Sequence, residues 1–474
     1  MLKDTEIIFP NTLEPENHWY EKSLNATIHP MVSYFLNLKT ERIIKRYCHL
    51  NPKVSSKDLE SILAYKPEHY HLSGADLLHV TTEKGNRQMV VIENNSCPSG
   101  QKSMPLLNEY EESGGYGKFM ELTIKPILKK RGNDAVAVIY DKNYMEASGY
   151  AHAMADMLNK KVYLVPYYHD DKNEHVDVSG DSIQLKIDGE WLKLGLVFRY
   201  LTQKPWNRLP IYSKTKIVNP TIVCLAGGRN KMIASKAYSF YNAELMEQNL
   251  KILTPHTIWD VNKNEIPLWV SKLGGKAVVK NPYSNAGQGV YTIVNQEELD
   301  SFMQLDFDYD KFIVQSLVGN YNWSSTTNEG KFYHVGTVPN QKGQSYVLDF
   351  RMMIHATPNG YRPLSIYSRR AKAPLKDELE NGKSSWDILG TNLSFKKENG
   401  DWGSDTNRLL VMERKEFNNL GIGLDDLIEA YIQTVLTSIA IDKMAIRLLN
   451  KKGGFRRKLF KSLNDDELLI KEIL

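Results

Sequence analysis

Over the first 60 residues, apolar positions recur among polar ones at helical spacing, and the pattern predicts a mostly helical start. The pattern changes at 74–95. An apolar run at 75–80, a turn at 83–86 and a second run at 88–92 predict a β-hairpin. It ends in a polar, turn-rich stretch, Glu93-Asn-Asn-Ser-Cys-Pro-Ser-Gly100. Between 135 and 225 the chain alternates. Runs at 135–140, 161–165, 196–200 and 221–225 read as strands, and 147–159 has helical spacing, so a mostly parallel sheet is expected. Asp188-Gly-Glu190 marks a small hairpin inside this unit. From 226 to 310 a second α/β piece follows, with helices at 231–248, 266–273 and 297–304 and two strands at 276–280 and 291–294. Residues 311–395 are strand-rich, at 312–315, 332–335, 345–354 and 362–367, and a final long helix opens at 425–436.

Length and composition narrow the class. A chain of 474 residues is too long for one compact core, so two to four domains are expected. Hydrophobic content of 42% and charged content of 24% are those of a soluble globular protein. No apolar run approaches the roughly 18 residues of a membrane span. The first residues carry no secretion signal, and Cys48, Cys97 and Cys224 are few, odd in number and far apart. A cytoplasmic location is the expectation, with neither a disulfide frame nor a cysteine-built metal site. The net charge of +4 is too small to imply nucleic acid. The basic cluster at 451–461 reads as a solvated terminal face.

The most telling stretch is Lys280-Asn-Pro-Tyr-Ser-Asn-Ala-Gly-Gln-Gly-Val290, a hairpin tip with a lysine at its mouth. Gly287 and Gly289 can take backbone angles closed to other residues and leave N–H groups free to wrap phosphate oxygens. An ordinary hairpin with a flexible tip is the plain alternative. Lys231 follows Gly227-Gly-Arg-Asn230 at a helix start, where backbone N–H groups also favour anions. The strand at 312–319 ends in a short apolar linker able to pack against a base. No G-x-G-x-x-G follows the first strand of the α/β unit, so the dinucleotide fingerprint is absent.

This order of elements resembles the ATP-grasp enzymes, which trap ATP between two α+β lobes. The resemblance covers about 226–445. It implies that Lys231 and Lys280 are the two phosphate-binding lysines. Ser284, Asn285, Ala286, Gly287, Gln288 and Gly289 would form the flap, and Gln315, Leu317 and Val318 the adenine hinge. Asp349-Phe-Arg351, the pair Arg369-Arg370 and Thr391-Asn392-Leu393 are similar to a D-x-R … R … N-L series of the glutamate-adding branch. One family element is missing from its place after the long helix: an aspartate on a hairpin, then Glu-x-Asn and a proline–glycine turn. The same pattern stands near the N-terminus, as Asp76 and then Glu93, Asn95, Pro98 and Gly100. The resemblance therefore implies a circular permutation, with Asp76, Glu93 and Asn95 as magnesium ligands. Glu93 and Asn95, two apart on an extended segment, face the same way, and magnesium takes hard oxygen ligands.

The expected fold is a multidomain α/β and α+β protein. Residues 1–130 would complete the catalytic lobe through the hairpin at 74–100, and 131–225 would form a pre-ATP-grasp α/β domain. Residues 226–310 would be the small lobe with the flap, 311–450 the large lobe and 451–474 a basic tail. The implied activity is an ATP- and Mg2+-dependent ligation of a carboxylate to an amine through an acyl phosphate. Arg351, one of Arg369 and Arg370, and Asn392 are the catalytic candidates. Partners would be small-molecule acids and amines, amino acids or peptides among them, with no nucleic acid and no membrane. A homodimer is an open option. A phosphotransferase on the same scaffold and a non-catalytic ATP-binding module are the alternatives. His355 is a candidate base whose plainer reading is structural. The whole assignment requires Glu93 and Lys280 to meet across almost two hundred residues of sequence.

Overall fold

The structure is a computed structural model in which residues 4–108, 110–129, 134–284, 287–378, 384–396 and 402–473 are described. Strands Ala135–Tyr140, Val162–Pro166 and Glu190–Tyr200 pair in parallel, as the alternation predicts. Val136, Val138 and Phe198 pack on one side under helix Tyr144–Leu158, while Ala137, Ile139 and Val197 pack on the other. Burial on both faces is what makes these strands continuous apolar runs rather than alternating ones. The fourth parallel strand is Lys216–Val218, not the run at 221–225. That run is helical: Thr221–Val223 leads into a wider turn over Cys224–Gly228. It is wholly buried against Ala237, Tyr241 and the long C-terminal helix, and a short run apolar on all sides carries no period that separates strand from helix. Strand Glu6–Ile8, unforeseen in the helical start, adds an antiparallel edge beside Val162–Pro166. The 188–190 turn forms with Asp188 and Gly189 at φ of +51° and +87°, as a tight two-residue hairpin of this hand requires.

A four-stranded antiparallel sheet runs in the order Thr257–Asn262, Lys311–Ser316, Ala277–Lys280, Val290–Ile293. Its last two strands are the flap hairpin. Helices Ile266–Lys272 and Gln296–Met303 cover it through Ile266, Val270, Leu299 and Phe302.

The largest consequence for function lies in a six-stranded sheet. Strands Leu72–Thr82 and Arg87–Ser96 form the early hairpin, and Leu348–Thr357 pairs along the free edge of Leu72–Thr82. Gly360–Arg370 continues the sheet. Distant parts of the sequence thus share one sheet. Helix Leu424–Arg447 packs on its back through Tyr431, Val435 and Ile439 against Ala75, Leu77, Phe350 and Met352. The Asp442 carboxylate near that helix's end accepts hydrogen bonds from the backbone N–H of Glu68, His69 and Tyr70 at 3.0, 2.8 and 2.8 Å. These are the residues that lead into the hairpin.

The basic cluster keeps its charges in solvent, with Lys451, Lys452, Arg457 and Lys461 exposed. It is nonetheless structured. Helices Arg457–Leu463 and Glu467–Ile473 bury Phe460, Leu469 and Ile473 in the main core. Among the described residues no helix is long and apolar enough to cross a membrane.

Candidate active site

The early hairpin sets the site by register. Glu93 lies opposite Asp76, Asp76 opposite Arg351, and Arg351 opposite Tyr367. Four strands therefore present one row of polar side chains. The neighbouring positions Ala75, Met352 and Ile366 point to the other face and enter the core, as the two-residue period of a strand demands. A register shift between Asp76 and Leu77 keeps Glu93 in the row, although the strand beyond it is offset by one.

The row is tightly paired. Arg351 donates to both Asp76 oxygens, Nε at 2.6 Å and Nη2 at 2.7 Å. Arg369 reaches Asp76 at 3.1 Å and grips Asp349 through Nε at 2.9 Å and through Nη2. The Tyr367 ring lies 5.9 Å from both guanidinium centres. Burial alone would raise the Asp76 carboxyl, but Arg351 and Arg369 beside it hold it well below the usual carboxylate range. Fork-to-carboxylate pairing of this kind fixes orientation as well as charge. Arg370 turns the other way, over the ring of Tyr346 at 4.8 Å. The structure thus separates the two adjacent arginines, and Arg369 is the one that faces the site.

The two lysines stand by the Glu93 end of the row. Lys280 is 6% exposed and donates to the Ile92 carbonyl at 3.1 Å. Burial pushes its ammonium down to about 8; nearby Lys231 adds to the fall and Glu93 opposes it. Lys231 donates to the Ser284 carbonyl at 2.5 Å and lies 3.8 Å from Glu93 Oε2. Glu93 thus pairs with Lys231 and acts electrostatically on Lys280. Asn95 accepts one long hydrogen bond, from Arg229 at 3.4 Å, and its Nδ2 is buried without a partner among the described residues.

The flap closes the roof. Lys280 pairs with Val290, and Asn281 N–H bonds the Gly289 carbonyl at 2.7 Å. Gly289 has φ of +69°, and a Cβ there would sit 2.9 Å from both Asn281 Cβ and Ser284 Oγ. Gly287, at φ of +73°, lies against Asn392, where a Cβ would come within 3.0 Å. Asn285 and Ala286 lie outside the described residues.

A cavity of about 880 Å³ joins these parts. Of the residues singled out from the sequence, Asp76, Glu93, Asn95, Lys280, Ser284, Gly287, Gln288, Gln315, Leu317, Val318, Arg351, Arg369 and Asn392 line it. Lys231 lines an adjoining recess shared with Glu93, Lys280 and Gln315. Gly289 shapes the flap without lining either. Leu78, Ile92, Val278, Leu317 and Val318 make one end of the cavity apolar. The Leu317 N–H is held by Ser325 Oγ at 2.7 Å. His355 is buried elsewhere, bonded to Thr123 at 2.9 Å, and does not reach the cavity.

Sequence reasoning missed Arg229, Lys142 and Lys102, which also line the cavity. Arg229 stands two residues before Lys231 in a glycine-rich turn, which is the one signal that could have marked it. The donors near Glu93 are two carboxylates and an amide, all hard oxygen ligands suited to magnesium. Among the described residues no group of three or more His, Cys, Asp or Glu is placed to hold a metal. An ion here would need the Asn95 amide and oxygens supplied by a bound nucleotide.

No protein-family model and no curated protein matches the chain. Solved structures give distant likenesses. A glutathione synthetase-like effector from Globodera pallida, in its apo form, is 11% identical over 73% of this chain and 86% of its own, with a TM-score of 0.38. A RimK domain ATP-grasp protein from Sphaerobacter thermophilus is 13% identical over 49% of this chain and 90% of its own, at 0.30. D-alanyl-alanine synthetase A from Vibrio cholerae is 11% identical over 64% of this chain and 98% of its own, at 0.32.

Proposed function

We propose that this protein is an ATP-dependent ligase of the ATP-grasp kind, joining a carboxylate to an amine. The observation that carries the reading is the meeting of Glu93 with Lys231, 3.8 Å apart, and of Lys280 with the Ile92 carbonyl, beside a fixed arginine pair. An anion-binding pair of lysines beside an acidic group and a preset guanidinium pair is the equipment phosphoryl transfer needs.

In this reading Leu78, Ile92, Val278 and Val318 pack the adenine. Lys231, Lys280 and the N–H groups of the flap hold the phosphates. Glu93 and Asn95 hold Mg2+, which neutralises phosphate charge when bound. Asp76 orients Arg351 and Arg369 and joins the ligand set only if that pairing loosens. The substrate carboxylate oxygen attacks the γ-phosphorus, and the bond to ADP breaks. Arg351 and Arg369 then steady the acyl phosphate and the tetrahedral oxyanion that forms when the amine nitrogen adds to the acyl carbon. The carbon–oxygen bond to phosphate breaks, phosphate leaves, and the amine's proton passes to solvent.

The same reading makes the chain a circular permutation of the usual order. Asp442, near the end of the long helix, grips the backbone at 68–70, so helix end and hairpin start adjoin as if consecutive. Residues 131–225 then act as the pre-ATP-grasp unit.

The test is ADP release with Mg2+ against libraries of acids and amines, with amide product followed by mass. The expected result is release that requires both substrates and falls at least a hundredfold in Glu93→Ala. Release unchanged in that variant would refute the metal assignment. Phosphorylated acid accumulating without amide would point to a phosphotransferase instead.

A further inference from the structure

Beyond the row of Arg351 the cavity runs on toward the parallel unit, and its wall there is cationic. Lys142 follows strand Ala135–Tyr140, while Tyr200 ends the neighbouring parallel strand Glu190–Tyr200 and Thr202 and Gln203 follow it. The carboxyl ends of parallel strands are where open α/β sheets bind ligands. Lys142 has no hydrogen-bonded or ion-paired partner among the described residues. Arg229, Lys102 and Arg351, which line the same cavity, act on it as like charges, and Asp141 opposes them. Asp141 is already committed. Its carboxylate accepts from Thr202 N–H at 2.9 Å, Thr202 Oγ1 at 3.0 Å, Gln203 N–H at 2.8 Å and Arg208 at 2.5 Å. Arg229 donates to the Ser96 and Cys97 carbonyls at 2.8 and 3.2 Å and to Asn95 Oδ1 at 3.4 Å, which fix its guanidinium at the cavity wall. Lys102 is held by Asn143 Oδ1 and lies 4.9 Å from the ring of Tyr20.

Like charges gathered in a partly desolvated wall repel, and burial with that repulsion lowers the Lys142 ammonium. Such a cluster persists at a cost in stability that an anion would relieve. We propose that the acid substrate carries a second anionic group, held by Lys142 with Arg229 and Lys102, while its reacting carboxylate lies at Arg351. The inference rests on the ligase reading for the word substrate. The subsite itself is a dianion site whether or not ATP is used. Its chemistry is shared by dicarboxylates and by acids bearing a phosphate or phosphonate.

Calorimetric titration of the full chain with butyrate, glutarate and 4-phosphonobutyrate, with and without Mg2+ and a non-hydrolysable ATP analogue, tests it. Glutarate is expected to bind at least tenfold more tightly than butyrate, and Lys142→Gln to erase the difference. Phosphonobutyrate binding above glutarate identifies a phosphate-type group, and binding below it a second carboxylate. Equal affinity for butyrate and glutarate overturns the subsite, as does a preference that survives Lys142→Gln. The variant's melting temperature is expected at or above that of the parent. A clear fall would mark Lys142 as a structural cation and overturn the assignment. Failure of the analogue to bind would count against the ligase reading, while the nucleotide-free titrations would still decide the subsite.

Discussion

Single side chains here are set by what surrounds them, and Glu429 shows how far that reaches. It sits on helix Leu424–Arg447, where burial lifts its carboxyl from 4.5 to about 7; Asp426 adds to the lift and the Met89 backbone opposes it. A folded pKa raised above the unfolded one means the protonated form favours folding. That stability is complete below about pH 4.5 and is lost as pH rises through 7. Glu429→Gln is therefore expected to flatten the pH dependence of stability between 4.5 and 7 and to stabilise the protein at pH 8 by about 1–3 kcal/mol. Denaturant melts at pH 5 and pH 8 check it, and an unchanged slope between them would refute it. The site residues divide by the same logic. Asp76, Glu93, Asn95, Lys280 and Arg351, singled out through the resemblance, line one cavity. The choice between Arg369 and Arg370 is not legible in the sequence. It depends on strand register, which sets Arg369 opposite Asp349 and turns Arg370 to Tyr346. Lys142 and Arg229 sit in turns, where no period announces direction.

The flap hairpin and the early hairpin stand within a few residues of their predicted bounds, and the long helix starts one residue early and runs on to Arg447. The run at 221–225 is helical rather than extended, because a short run buried on all sides carries no period that separates helix from strand. The charges of the tail predict a solvated face, and its apolar positions, Phe460, Leu469 and Ile473, fix two helices on the core. Those helices bear on the flap. Tyr283, in the turn after Ala277–Lys280, is buried and donates to Asn464 Oδ1 at 2.9 Å. Tyr309 stacks edge-on with it at 4.7 Å and bonds Glu472. The tail thus anchors the flap's base, and Tyr283→Phe should remove one buried hydrogen bond worth about 1 kcal/mol. Amide exchange is expected to quicken across 277–293 and to stay unchanged within Leu424–Arg447. Equal protection of the flap in parent and variant would show that the tail does not hold it.

At the scale of the molecule, the early part of the chain cannot stand alone. Strands Leu72–Thr82 and Arg87–Ser96 bury Leu77, Met89 and Val91 against residues of the long helix, and Leu72–Thr82 completes its hydrogen bonding on Leu348–Thr357. Helices Pro30–Leu36 and Thr40–Leu50 add Phe35 and Ile43 to the same core. Such side chains each contribute about 1.5–3 kcal/mol on burial, and a fragment ending at residue 130 loses their packing against the long helix. The later part has the opposite defect. Without the hairpin, Arg351 and Arg369 lose Asp76, leaving a buried cation with less compensation, and the edge of Leu348–Thr357 lies open. Division of the chain between residues 130 and 131 is therefore expected to give two fragments that are each unfolded or aggregated alone. Mixed during refolding, they should recover a single cooperative melt, because the contacts between them are those of one core. Recovery would also show that chain order across 130–131 is dispensable, as a permuted arrangement requires. An N-terminal fragment that melts cooperatively by itself would mean that the hairpin belongs to an independent domain, and that Glu93 and Lys231 meet across an interface rather than within one site.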